Sequence, residues 1–286
     1  MKRLVRWTGV ALGSMVALCI VAYIVVYFLS ERVLQRRYDI PAVSLSIPTD
    51  AASISEGERL ATIRGCFHGC HGKQTEGAVL FDEPVIARLV APNLTAATRK
   101  YSDAQLAVII RNGVRPGGQG MLVMPSEAFV GLTDEDLGRI IAFLKSQPAV
   151  AGPGPDVALG PLGRLGLVIG QFKPTAQMIA ETVPPPAATD EESRYGRYLA
   201  LTICAQCHGT SLRGASNPEF KSPDLLVVAA YSPEAFVQLL KTGVAIGGRN
   251  AGVMSASARD NLSSLTDTEI AALYSYLHSL PEDPHN

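Results

Sequence analysis

Hydrophobic residues are distributed along this chain in three ways. From Thr8 to Leu29 there is no charged residue, a run of 22 positions long enough to cross a bilayer as one helix. From Ser53 to Pro148, and again from Arg194 to Pro281, apolar residues recur at helical spacing, as in Leu137, Ile140, Ile141 and Leu144 or Ile270, Leu273, Tyr274 and Leu277. Elsewhere the pattern lapses. Residues 31–52 are charged and then polar, with Pro41 and Pro48, and residues 149–193 carry Pro153, Pro155, Pro161, Pro174 and Pro184-Pro185-Pro186. The expected fold is all-α. A transmembrane anchor covers residues 1–30, a stalk 31–52, a helical domain 53–148, a linker 149–193 and a second helical domain 194–286. No strand pattern stands out.

The two helical domains repeat each other. Tyr101-Ser102-Asp103-Ala104-Gln105-Leu106 through Arg111-Asn112-Gly113-Val114 matches Tyr231-Ser232-Pro233-Glu234-Ala235-Phe236 through Lys241-Thr242-Gly243-Val244, and Met124 matches Met254 at the same offset. Thr133-Asp134-Glu135-Asp136-Leu137 matches Thr266-Asp267-Thr268-Glu269-Ile270. Ser102 with Gln105, and Thr266 with Glu269, read as capping boxes; Ser232 is an N-cap followed by Pro233, and Gly113 and Gly243 close their helices. A short helix is expected before each cysteine cluster, from Ser55 and from Arg194, with Gly57 and Gly196 allowing a close helix crossing. Within the linker, residues 159–172 are apolar and Gly-rich with Arg164 as their one charge. They are too few to span a bilayer and read as an extended tether packed on the domain surfaces, the alternatives being a cover over a domain edge, a place between the two domains or contact with the membrane.

Lys2, Arg3 and Arg6 precede the long apolar run, and Arg32, Arg36 and Arg37 follow it, so the positive-inside bias is weak. A cleavable signal has a shorter apolar core ending in a small-residue site, which Phe28-Leu29-Ser30-Glu31-Arg32 does not supply. Leu18 likewise stands where a lipoprotein site before Cys19 needs a small residue. An uncleaved anchor is expected, with Cys19 lipid-facing or packed in a core. Net charge is −1 over 286 residues, which argues against nucleic acid as a partner. Of five Cys, four lie in two short clusters, so no disulfide framework is indicated.

The clusters carry the chemistry. Cys204-Ala205-Gln206-Cys207-His208 is C-x-x-C-H, the mark of covalent haem c attachment. Two thiols add to the two vinyl groups on one porphyrin edge, and the next His becomes the proximal iron ligand. Cys66-Phe67-His68-Gly69-Cys70-His71 is a copy one residue longer. His68 is the alternative to His71, or simply the exposed inserted residue; zinc on Cys66, Cys70, His68 and His71 is the competing use of the cluster. For the second axial position each repeat offers a Met between its middle and last helices, Met124 and Met254. A thioether raises the reduction potential, which suits electron transfer. Met121 and Met178 are the alternatives, and core filling is the bland reading of any Met. His278 and His285 read as surface residues.

Taken together, these residues resemble class I cytochrome c, twice over, across Ser53–Pro148 and Arg194–Pro281. The resemblance implies that the carbonyls of Pro92, in Ala91-Pro92-Asn93-Leu94, and of Pro223, in Ser222-Pro223-Asp224-Leu225, accept hydrogen bonds from His71 and His208 and tune the iron. The order of anchor, haem domain, linker and haem domain is similar to membrane-anchored dihaem cytochromes c of bacterial respiratory chains. It implies two covalent haems c on the periplasmic side of the cytoplasmic membrane. There the protein relays electrons from a dehydrogenase or quinol-oxidising complex to an acceptor such as a terminal oxidase, with no catalytic residue of its own. The departure from the family pattern is the extra residue between Cys66 and Cys70. A dihaem peroxidase, needing one displaceable distal ligand, and an integral subunit of an oxidase or dehydrogenase complex are the alternative functions.

Overall fold

A computed structural model describes residues 2–41, 43–154, 157–182, 185, 190–216 and 221–280. Pro155, Pro184, Pro186 and His285, and the side chain of His68, lie outside the described residues. The chain opens with α1 (Lys2–Leu34), a 33-residue helix long and apolar enough to cross a membrane. The stalk is laid along the first domain. Tyr38 N donates to Gly118 O at 2.8 Å, Arg37 Nη1 to Gly117 O at 2.5 Å, and Val43, Leu45 and Ile47 pack on the core.

In the first domain α2 (Ala51–Ile63) leads into the Cys66–His71 turn. Next come the hairpin β1 (Ala78–Glu83) and β2 (Ala87–Ala91), then α3 (Leu94–Lys100), α4 (Asp103–Asn112), α5 (Ser126–Phe129) and α6 (Asp134–Ser146). In the intervening segment β3 (Ala158–Leu159) adds to β2, and α7 (Pro161–Val168) and α8 (Thr175–Glu181) follow. The second domain contains α9 (Glu191–Leu199), α10 (Ala205–His208), the short pair β4 (Ala215–Ser216) and β5 (Lys221–Ser222), α11 (Pro233–Thr242), the pair β6 (Val244–Ala245) and β7 (Arg249–Asn250), α12 (Val253–Asp260) and α13 (Asp267–His278).

The helices start and stop where side chains satisfy their free backbone groups. Ser102 and Gln105 form a complete capping box, as do Thr266 and Glu269, and Gly113 and Gly243 take the left-handed conformation past α4 and α11. The helices before the cysteine clusters begin earlier than the sequence suggested. Asp50 caps α2, and Asp190 caps α9 by accepting from Ser193 N at 2.8 Å.

First and last helices cross in each domain, α2 over α6 and α9 over α13. A Cβ on Gly57 would lie 2.0 Å from Arg139 O, and one on Gly196 2.1 Å from Ala272 O. Only glycine permits these two crossings.

The molecule is mostly helical, as expected, but strands are present where none were. In the β1–β2 pair the register shifts between Val79 and Phe81, which breaks the period-two alternation that marks a strand. Residues 159–172, expected to be an extended tether, instead complete β3 and form α7, and α8 follows them. A single hydrophobic core runs through both domains, and the contact between them is reciprocal. α5 meets the second domain's Ala200–Cys204 turn and α10, while the second domain's Leu262–Ser264 turn meets α2.

Candidate haem sites

The first cysteine cluster lies on a widened helical turn, and the second starts at the end of one. Cys66–His71 is a π-helical turn between Gly65 and Gly72, which both have positive φ; Ala200–Cys204 is another, running into α10. Such turns insert an extra residue per turn and gather at functional sites. The longer first cluster thus has the backbone it needs to bring Cys66 and Cys70 to one side.

After each His the chain folds back identically. Gly77 N donates to His71 O at 2.7 Å, and Gly214 N to His208 O at 3.0 Å. Thr75 (φ 60°) and Leu212 (φ 62°) are non-glycine residues held left-handed, each bonded to the Gly that follows the His, Gly72 or Gly209, and each accepting from the residue that opens the next helix, Leu94 or Leu225. Strain of this kind costs about 1–3 kcal/mol and persists only where the surroundings enforce it. Nothing in the residue types announced it, since neither Thr nor Leu favours positive φ.

The histidines are buried, each 8% exposed. Nδ1 of His71 lies 2.8 Å from Pro92 O, and Nδ1 of His208 lies 2.9 Å from Pro223 O. A carbonyl can only accept, so each Nδ1 carries the proton. Nε2 is left with its lone pair, the tautomer an iron ligand requires. Burial pulls the pKa of both imidazoles down, against the opposing effect of the proline carbonyls, and so favours the neutral ring.

Burial pushes the thiols of Cys66 and Cys204 up to about 12, and those of Cys70 and Cys207 up as well. A Cβ on Gly65, just before the first cluster, would lie 4.0 Å from Gln206 Oε1 of the second, so the two clusters come close at the domain contact.

Met124 and Met254 are half-buried against the core. Ser126 and Ser255, fully buried beyond each Met, anchor the two loops; Ser126 Oγ donates to Ile109 O at 3.3 Å and Ser255 Oγ to Gly243 O at 2.5 Å. In the first domain Thr175 of α8 adds a brace. Its N donates to Met121 O and its Oγ1 to Met124 O, both at 2.8 Å. Met178 lies exposed on α8 and His278 exposed on α13.

The residue that sequence reasoning missed is Arg64. It is 1% exposed, two positions before Cys66. Its Nη2 lies 3.3 Å from Asp136 Oδ2, 3.2 Å from Tyr198 OH and 3.4 Å from Thr202 Oγ1, the last two in the second domain. Beside it, Arg59 bonds both carboxylate oxygens of Glu269, at 2.8 and 2.9 Å.

These paired sites match what is known of other chains. The cytochrome c family model matches residues 54–148 and again 193–281. The chain is 26% identical over 266 residues to the fructose dehydrogenase cytochrome subunit of Gluconobacter japonicus, covering 82% of this chain and 54% of that protein. The chain thus spans about half the length of that relative. Two matched regions, each with a buried histidine turned by a proline carbonyl beside a pair of half-buried thiols, place the chain in the cytochrome c family.

Proposed function

We propose that this chain is a membrane-tethered dihaem electron carrier. Haem-based electron transfer is the chemistry of its family; the finer reading is that two haems c are held, one per domain. Cys66, Cys70, Cys204 and Cys207 would hold them covalently, with His71 and His208 as proximal ligands and Met124 and Met254 as distal ones. A bound haem c supplies one-electron chemistry without a substrate on the iron. The chain's own work is to fix each imidazole through Pro92 or Pro223, to set each Met loop through its buried serine, and to keep water out with the surrounding apolar side chains. The observation that carries the reading is the pair of His–Pro contacts, present in both halves despite the extra residue in the first cluster.

The domains lie on the periplasmic side of a bacterial cytoplasmic membrane, with α1 as the anchor. The relative is a dehydrogenase cytochrome subunit, and this supports a dehydrogenase as electron donor, with an oxidase or other respiratory acceptor downstream. A soft ligand from each repeat argues for a carrier over a peroxidase. Carbon monoxide added to the reduced protein tests this. A carrier with both Met bound shows little reaction, whereas rapid stoichiometric binding at one haem of the unmodified protein would mean an open site and an enzyme.

A further inference from the structure

We propose that α7 and the tip of the β1–β2 hairpin form a second membrane contact, an apolar face resting in the interfacial layer of the bilayer beside the point where α1 leaves it. This rests on the reading of α1 as a membrane-spanning helix.

The face is built from two pieces locked together. On α7 and its C-cap, Leu162, Leu165 and Ile169 stand three and four residues apart, and therefore on one side of the helix; all three are exposed, Ile169 by 67%. At the hairpin tip Val85 is 59% exposed and Ile86 is exposed beside it. Gly160 N donates to Ile86 O at 2.9 Å and Leu162 N to Val85 O at 3.0 Å. A Cβ on Gly160 or Gly163 would lie 2.1 Å from Pro84 O or 2.0 Å from Ile86 O. The glycines let hairpin and helix touch backbone to backbone, so the five apolar side chains belong to one surface.

The height of that surface is set by Arg164, on a different side of α7. Its Nη1 donates to Ser30 Oγ at 2.7 Å and to Glu31 Oε1 at 2.8 Å, and its guanidinium stacks over Tyr27, 4.1 Å from the ring centroid. The charge-free run of α1 ends at Ser30, one residue before Glu31. The Arg164 partners therefore straddle the boundary between hydrocarbon and headgroups, and α7 is held within about one helical turn, ~5.4 Å, of it. Tyr23 and Tyr27 lie at the same end of α1, the level aromatic residues favour in membranes.

Arg164 is also the one charge between Val157 and Phe172. Its charge is already matched by Glu31, so α7 brings no unpaired charge to the stripe. An exposed apolar patch of this kind needs an occupant. Lipid is the occupant that α1 already requires, and the patch continues from α1's exit. The consequence is a fixed orientation: anchored at α1 and at α7, the first domain cannot swing freely on its stalk.

Nitroxide labels test this in the full chain with its haems, reconstituted into vesicles of phosphatidylethanolamine and phosphatidylglycerol. Native Cys19 reports on α1. Labels introduced through Ile169→Cys and Val85→Cys in a Cys19→Ser background report on the patch, and one through Val237→Cys on α11 reports on bulk water. Relaxation by oxygen, which concentrates in lipid, is compared with relaxation by a water-soluble nickel chelate. Labels at 19, 85 and 169 should respond more to oxygen than to the chelate, and the label at 237 the reverse. Water-like labels at 85 and 169 with a lipid-like Cys19 would overturn the second contact and leave the anchor standing. A water-like Cys19 would overturn both.

Discussion

Arg64 buries a full charge that both domains help satisfy, Asp136 from its own and Tyr198 and Thr202 from the other. A buried guanidinium is tolerable when paired and bonded, and removing one partner of such a pair costs about 3–5 kcal/mol. Asp136→Asn keeps the shape and removes the charge. It should lower stability by about 3 kcal/mol, read as a fall in the denaturant midpoint, whereas Glu135→Gln, on an exposed carboxylate paired within its own helix to Arg139, should change little. The methionines make a different prediction. Met254→Ala should open one haem to carbon monoxide, so that about half of the reduced haem reacts in the difference spectrum; no increase over the unmodified protein would remove Met254 as a ligand. The thiols, histidines and methionines could be picked out from the sequence because their chemistry is rare and their spacing repeats. Arg64 could not, because an Arg at the end of an amphipathic helix normally faces water, and here partners from both domains meet around it. Thr75 and Leu212 were hidden for a similar reason: their strain is imposed by the turns around them.

The two helix crossings are the elements most sensitive to a single methyl. Gly57→Ala and Gly196→Ala each push a Cβ into a backbone carbonyl of the facing helix, and overpacking of this kind costs about 1–3 kcal/mol. Thermal unfolding should show both variants below the parent, with Gly131→Ala as a control whose added Cβ meets nothing within 4 Å. Equal melting of all three would mean the crossings are loose. Most helices were legible because their caps are written locally, in Ser102–Gln105, Ser232–Pro233 and Thr266–Glu269. The β1–β2 hairpin was not, because its bulge disrupts alternation and its residues mix Ala, Val, Leu and Phe with Asp and Glu. Nor were α7 and α8, whose prolines at 161 and 174 look like linker punctuation but instead sit at the starts of short helices.

At the scale of the whole molecule, the domains are joined by charges as well as by the shared core. Burial raises the Glu269 carboxyl, but the hydrogen bonds from Arg59 and the Thr266 backbone outweigh it and leave the pKa below the usual 4.5. A depressed carboxylate contributes its stability above the unfolded value and loses it as pH falls through the folded one. The domain contact should therefore hold at neutral pH and loosen below about 4.5. Hydrogen exchange in α9 and the following turn should accelerate there, and Glu269→Gln should flatten that dependence. The central claim is that both domains hold a haem, including the one whose cysteines stand one residue further apart. The mass of the intact, denatured holoprotein tests it most directly, because thioether-bound haem survives denaturation. The account predicts the 30.3 kDa chain plus two haems; a mass showing a single haem would contradict it.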